Sequence, residues 1–416
     1  MSPEPTEPKK FYVLSTTEGC ATNLLENNAY RKQYEIAGME SASSPEEADL
    51  ILINTCGYSK EMEDKAVNII AGHRQKYPGK QIQLAGCLPK INPQKIRKDF
   101  AELKVQHFPE IPFEDQGNEF ASKDFGGLSF KHRLMVNARP LFFKIENLLG
   151  LKWQPLHNLV NSVVVNSEFF LITVSTGCLG FCTFCGIKKA KGSLRSRPLP
   201  TIASEFKKGL AAGYKNFWIL GDDIGCWGQD LGLSIVDLLA EFTKTKEDFN
   251  LVINYVDPQF IAKYPNQLVE VLKDRRIVGV NIPIQSGSTP ILKSMARRYE
   301  AKPILKIIEQ MKVGNPNLAI KTNIIVGFPN ESWSDFFQSV KSVFAFDAIL
   351  ALKFTARPGT PAATYPNQIS ETVKSLRHTL INLAILGRHA WVLLASLFRV
   401  EAPELPYPTT PVQNKV

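Results

Sequence analysis

Short apolar runs, each followed by polar or glycine-rich residues, set the rhythm of this chain. In the first hundred residues Phe11-Tyr12-Val13-Leu14, Leu50-Ile51-Leu52-Ile53 and Ile82-Gln83-Leu84-Ala85 read as strands, with helices over about 23–36 and about 59–76 between them. Alternating strands and helices predict a parallel sheet covered by helices. A second series of apolar runs occupies 169–174, 217–220, 251–254, 278–282, 319–326 and 349–354. After these runs come Gly221-Asp222-Asp223, Asp257-Pro258, Gln285-Ser286-Gly287-Ser288, Gly327-Phe328-Pro329 and Arg357-Pro358-Gly359-Thr360. Parallel βα folds place active sites at such strand ends. Six units suit a partial (β/α)6 barrel better than a closed eight-stranded one.

The expected fold class is therefore α/β. A doubly wound parallel-sheet domain spans 9–115, a linker 116–168 and the partial barrel 169–375. The linker is irregular, with turn signals and some helix near 140–149. An apolar C-terminal helix follows at 376–400, then a Pro-rich tail at 401–416; residues 1–8 form a disordered tail. The apolar stretch 379–398 is just long enough to span a bilayer, at ~20 residues. Arg388 and His389 fall at its middle, however, and a central Arg costs about 2.5–3.5 kcal/mol. No membrane span is expected, but a helix that is buried or packs on a partner, dimerisation included.

Composition changes this picture little. The chain has 44% hydrophobic and 21% charged residues, ordinary for a globular core. The net charge of +9 suits contact with nucleic acid or another anion, and equally a plain basic surface. Seven cysteines, an odd number, do not suggest a disulfide framework. With no signal-peptide pattern, a reducing cytoplasm is expected.

The cysteines carry the chemistry. Cys178, Cys182 and Cys185 lie in Cys178-Leu179-Gly180-Phe181-Cys182-Thr183-Phe184-Cys185. Three thiolates can hold three corners of a cubane iron–sulfur cluster and leave one iron open to a reactant. Structural zinc would ordinarily close with a fourth ligand, and no further Cys or His lies within a few residues. Cys20, Cys56 and Cys87 each follow one of the first three strands. Carboxyl ends of parallel strands lie together, so these could converge as a second set of three; the alternative is three unrelated small buried residues.

These motifs resemble the radical S-adenosylmethionine methylthiotransferase family from about residue 10 to 375. The resemblance rests on Gly19-Cys20-Ala21-Thr22-Asn23, Asn54-Thr55-Cys56-Gly57, Ala85-Gly86-Cys87, the run from Gly177 to Arg197, Gln285 to Ser288, Met295 to Tyr299, Ile325 to Pro329 and Arg357 to Thr360. It implies a partial radical S-adenosylmethionine barrel with a 4Fe-4S cluster on Cys178, Cys182 and Cys185. An auxiliary 4Fe-4S cluster falls to Cys20, Cys56 and Cys87. The open iron chelates S-adenosylmethionine, and reduction yields a deoxyadenosyl radical that abstracts hydrogen. A sulfur on the auxiliary cluster, methylated by a second S-adenosylmethionine, is then transferred. No protein acid–base dyad is expected. Phe184, Gly221, Asp222, Asp223, Gln285, Ser286, Val326 and Gly327 are candidates to contact S-adenosylmethionine. An electron donor such as a flavodoxin or ferredoxin is implied.

Lys188-Lys189-Ala190-Lys191-Gly192 resembles the archaeal and eukaryotic branch, which modifies threonylcarbamoyladenosine in tRNA. Asn281, Asn323 and Asn330 stand where the family usually has His, Asp and Gly, and Cys226 where Ser or Ala is usual. The family's C-terminal β-barrel, which grips tRNA or a protein target, needs ~25–30 residues in strands. Only residues 399–416 follow the apolar helix, and Pro403, Pro406, Pro408 and Pro411 punctuate them. The substrate expected is a tRNA adenosine, with a peptide or protein side chain or a small molecule as the rival. A related sulfur insertion remains open, as does a non-enzymatic electron-transfer or RNA-binding role.

Overall fold

The computed structural model describes residues 8–17, 21–106, 119–120 and 169–398. Cys20, both tails and the helix expected near 140–149 lie outside the described residues. The N-terminal unit is a sheet of β1 (Lys10–Ser15), β2 (Glu40–Ser41), β3 (Leu50–Thr55), β4 (Gln81–Gly86) and β5 (Lys104–Val105). Its order is β2-β1-β3-β4-β5, and every pairing is parallel. The edge strands β2 and β5 are too short for alternation to announce them.

Helix α1 (Ala21–Ile36) covers one face of this sheet, with Tyr30 and Tyr34 packed among Phe11, Leu50 and Leu52. Helix α2 (Lys60–Lys76), the short α3 (Leu88–Ile91) and α4 (Pro93–Asp99) follow on the other side, where Ala66, Ile70 and Ile96 meet Ile51, Ile53 and Leu84. Helices on both faces make the unit doubly wound. Helix α2 starts where Ser59 accepts from the Met62 amide at 3.2 Å, with Glu61 and Glu63 in its first turn and Arg74 and Lys76 in its last. Both arrangements favour a helix at that place. Strand order reverses between β1 and β3, so a crevice opens at their carboxyl ends. Cys56 directly follows β3 and Cys87 directly follows β4.

The second sheet has β6 (Glu119–Phe120), β7 (Phe169–Thr173), β10 (Asn216–Leu220), β11 (Asn250–Ile253), β12 (Ile277–Asn281), β13 (Ala319–Val326) and β14 (Ala348–Lys353). The six from β7 to β14 are parallel neighbours in chain order, as a partial barrel requires. Strand β6 adds an antiparallel edge from the stretch read as linker. A separate ribbon pairs β8 (Ser175–Thr176) with β9 (Arg195–Ser196). The helices here are α5 (Ile187–Lys191), α6 (Leu199–Ala211), α7 (Ile235–Thr243), α8 (Pro258–Lys263), α9 (Pro265–Val271), α10 (Thr289–Ser294), α11 (Ala301–Gly314), α12 (Trp333–Ser342) and α13 (Glu371–Phe398).

Side chains alternate across these strands. Ile172, Phe217, Ile219, Leu251, Val280, Ile320 and Ile324 pack outward in the core beneath the helices. Leu171, Trp218, Leu220 and Val252 form the opposite set, joined by Leu24 and Leu25 of α1. Helix α1 is thus buried on two sides, against its own sheet and against the barrel lumen.

Charges are also buried where the two units meet. Lys191 of α5 pairs with Glu26 of α1, their side chains 9% and 14% exposed. Arg357, after β14, pairs with Glu63 of α2, and both side chains are nearly inaccessible. Asn92 donates to the same carboxylate at 3.2 and 3.3 Å.

Helix α13 begins ahead of the apolar run and lies along β14. Ile381, Ile385 and Val392 are buried, and Arg377 donates to Glu331 at 2.6 Å. The central Arg388 donates to the Asp347 carbonyl at 3.3 Å. Among the described residues no helix is long and apolar enough to cross a membrane. Leu376, Leu380, Leu383, Leu386 and Trp391 are exposed.

Removing one partner of a buried pair costs roughly 3–5 kcal/mol, because the other charge stays behind. Arg357→Met should therefore lower the thermal midpoint more than the double variant Glu63→Leu/Arg357→Met does. Equal midpoints for the single and double variants would show that the pair is not coupled.

Candidate radical S-adenosylmethionine site

The cysteine loop is pinned where it leaves and where it returns. It emerges from β8 and comes back through β9, which pair side by side. Gly177 has φ +70°, and a Cβ there would stand 2.2 Å from the Ser193 carbonyl oxygen. Only glycine fits this position. The Gly177 amide also donates to Asp222 Oδ2 at 2.7 Å, tying the loop to the end of β10.

Between these anchors Cys178, Cys182 and Cys185 are all half-buried. A Cβ built on Gly180 would lie 3.7 Å from Cys178 Sγ and 3.5 Å from Cys182 Sγ, so both sulfurs gather around this glycine. The Cys185 amide donates to the Cys182 carbonyl at 3.1 Å. Burial is the main cause pushing the thiols up, to about 11 for Cys178 and about 12 for Cys182. Three sulfurs on one tight loop suit three corners of a cubane, whose binding would displace their protons.

Cys56 and Cys87 lie near the seam, within electrostatic reach of Lys191 and Glu26. Gly86 has φ +86°, and a Cβ there would be 2.3 Å from both Asn54 Oδ1 and the Thr55 carbonyl oxygen. This conformation delivers Cys87, whose amide donates to the Thr55 carbonyl at 2.8 Å. The Cys56 amide donates to Thr16 Oγ1 at 3.0 Å. Burial pushes both thiols up, and Cys87 also feels Lys191, Glu26, Cys56 and Asp222. Asp222 therefore bonds one cysteine loop and lies within electrostatic reach of the other set.

Beside Cys182 is a shallow cleft open to solvent, lined in part by Leu179, Phe181, Asp257 and Arg297. Asp257 and Arg297 form a buried ion pair. The Arg297 guanidinium lies 5.7 Å from the Phe184 ring centre. Behind them Asp223 accepts from the Gly225 and Asp257 amides at 3.0 and 3.1 Å. Burial first, then the Asp257 carboxylate, pushes the Asp223 carboxyl up. Asp257 and Arg297 were not among the residues expected from the sequence, although Asp257 follows β11 and Arg297 lies inside the Met295 to Tyr299 motif.

Phe184, Gly221, Asp222 and Asp223 thus gather near the cysteine loop, with a Cβ on Gly221 only 2.9 Å from Ser175 Oγ. Gln285 takes a left-handed conformation, φ +61°, and its amide donates to the Asn323 carbonyl at 2.9 Å. Ser286 is turned toward α12, its hydroxyl 3.2 Å from that of Ser339. Val326 packs in the core beneath the helices. The Gly327 amide donates to Glu331 at 2.7 Å. Cys226 packs beside Cys178 and donates to the Asp223 carbonyl at 3.1 Å.

The three-cysteine loop on a partial barrel defines a radical S-adenosylmethionine protein, and the Radical SAM superfamily model matches residues 172–343. The model described as uncharacterized protein family UPF0004 matches residues 12–106. Carrying both modules in this order, the chain belongs to the radical S-adenosylmethionine methylthiotransferase family. It is 28% identical over 390 residues to a probable threonylcarbamoyladenosine tRNA methylthiotransferase of Pyrococcus horikoshii, covering 90% of this chain and 87% of that one. A tRNA-2-methylthio-N(6)-dimethylallyladenosine synthase of Carboxydothermus hydrogenoformans is 28% identical over 381 residues, covering 89% and 81%. The human threonylcarbamoyladenosine tRNA methylthiotransferase is 28% identical over 368 residues, which are 87% of this chain and 60% of the human protein. A radical S-adenosylmethionine methyltransferase from Kitasatospora setae, solved with cobalamin and a 4Fe-4S cluster, shares the fold. Its TM-score is 0.52 at 11% identity, covering 85% of this chain and 77% of that one.

Gly177→Ala should prevent the loop from closing, so the variant should lose most of the iron bound at these cysteines after reconstitution. Gly180→Ala meets only ordinary contacts and should retain it. Equal iron per chain in the two variants would refute the pinned-loop account.

Proposed function

We propose that this chain converts a C–H bond of a tRNA adenosine to C–SCH3, using two 4Fe-4S clusters and two molecules of S-adenosylmethionine. Cys178, Cys182 and Cys185 would hold the first cluster; Cys56 and Cys87, with Cys20, would hold the second. The observation that carries this reading is the position of Asp222, which bonds the first cysteine loop and lies within electrostatic reach of Cys87. One substrate held at this seam can then face both cysteine sets.

When bound, the clusters and S-adenosylmethionine supply the one-electron and sulfur chemistry. The chain binds and orients. Asp257 and Arg297 offer a charge pair to the amino and carboxylate groups of S-adenosylmethionine in the cleft beside Cys182. Phe184, Gly221, Asp222 and Asp223 complete that surround, with Gln285, Ser286, Val326 and Gly327 behind it. Leu24 and Leu25 of α1 close the apolar side of the lumen and keep water out. Reduction falls to a flavodoxin- or ferredoxin-like donor. The relatives' names, the basic surplus and the Lys188–Lys191 segment favour tRNA, and within it threonylcarbamoyladenosine, over a peptide or protein side chain.

Mass spectrometry of tRNA nucleosides and of peptides, from cells with and without the gene, tests the substrate. A methylthio gain on a tRNA adenosine is expected; a gain on peptides alone would overturn the tRNA reading. In the purified protein, Cys182→Ala should abolish deoxyadenosine formation, and Cys56→Ala should lose about one cubane of iron. Survival of cleavage in the first, or unchanged iron in the second, sinks the corresponding cysteine set.

A further inference from the structure

Lys321 occupies a position where a cation is costly. It lies on β13, in register with Asn281 on β12 and Ala348 on β14. Ile320 and Ile324 of the same strand pack outward, so alternation turns Lys321 into the lumen. Asn254, Asn281 and Lys321 stand at or near one level with the carboxyl ends of β10, β11 and β12. Among the described residues, Lys321 is the only ionisable side chain on the lumen face of the strands, and it makes no hydrogen bond or ion pair. Burial alone pushes its ammonium pKa down.

Its surroundings are polar but unfinished. Asn281 donates to Asn254 Oδ1 at a long 3.5 Å, while its own Oδ1 is buried without a partner. Trp218, on the lumen face of β10, has a buried indole N–H without a partner. A buried polar group lacking a partner costs free energy. Donors and an acceptor gathered in one lumen suit a ligand that completes them.

Resting on the tRNA-adenosine reading above, we propose that Lys321, flanked by Asn281 and Asn323, is a specificity residue that holds the carboxylate of a threonylcarbamoyl group on the substrate adenosine. An ammonium meets a carboxylate in a charge-assisted hydrogen bond, which strengthens out of water. The neighbouring amides suit the urea and hydroxyl groups of the same substituent. A dimethylallyl group offers none of this chemistry and would leave the half-buried cation unpaired. The lumen therefore distinguishes the two adenosine substituents that the relatives' names carry.

The test uses the reconstituted full chain with tRNA bearing either threonylcarbamoyladenosine or dimethylallyladenosine. Methylthio nucleosides are quantified by mass spectrometry for wild type, Lys321→Met and Lys321→Arg. Lys321→Met should shift the ratio of kcat/KM values toward the dimethylallyl substrate by about 10- to 100-fold, the range of one hydrogen bond to a charged group. The change should lie mainly in KM, and Lys321→Arg should recover part of it. Calorimetric titration with the free threonylcarbamoyladenosine nucleoside should show the same weakening. The Lys321→Met melting temperature should hold or rise, since a half-buried, unpaired charge is removed; a marked fall would mean a structural role and overturn the proposal. So would an unchanged ratio with wild type active, which leaves the tRNA reading intact. Equal weakening for both tRNAs would assign Lys321 to backbone phosphate instead. A wild type that cleaves S-adenosylmethionine but modifies neither tRNA overturns the tRNA reading, and this inference with it.

Discussion

The buried pair of Lys191 and Glu26 governs the geometry of everything around it. Lys191 ends the helix that follows the barrel cysteines, and Glu26 sits on the helix that follows Cys20. Neither charge can be left alone at this depth, so the two units can dock only where the charges meet. Arg357 and Glu63 impose the same condition further along the seam. Two such pairs act less as glue than as registry, because a displaced docking would strand charges in a dry interface. Cys87 then comes within electrostatic reach of Asp222, which holds the loop of Cys178, as a consequence of where those charges can be satisfied.

Burial acts differently on the sulfurs. The thiols of Cys178 and Cys182 are pushed well above neutrality, so without a bound metal they would be protonated and weak nucleophiles. Iron bound at these cysteines, as proposed, would have to displace those protons, and its affinity would rise with pH. The burial that keeps these thiols protonated would thus make metal loading a proton-releasing step.

The strands and the doubly wound and partial-barrel fold were legible because they depend on local pattern. Period-two alternation, helix caps and strand-end glycines are written within a few residues of one another. The seam was not legible, since Glu26 and Lys191, like Glu63 and Arg357, are remote in sequence and each alone reads as a surface charge. Lys321 was hidden for another reason. Its strand is buried on both faces, so nothing in the run Ala319 to Val326 says which face is the lumen; that follows from its register with β12, set past an irregularity between β11 and β12. Ser286 and Val326 illustrate the converse, since adjacency to a motif does not fix a side chain's direction, and both point toward the helices.

Helix α1 bears on the order in which the molecule is assembled. Among the described residues, its Leu24 and Leu25 pack with Phe169, Leu171, Trp218, Leu220 and Val252. On the ribosome the N-terminal sheet can fold as soon as it emerges, while that leucine face waits for the first three of the six barrel strands to be synthesised. An exposed apolar face on an otherwise finished domain is where nascent chains associate wrongly. The same helix that shields the finished lumen from water is thus, during synthesis, the segment most in need of a chaperone.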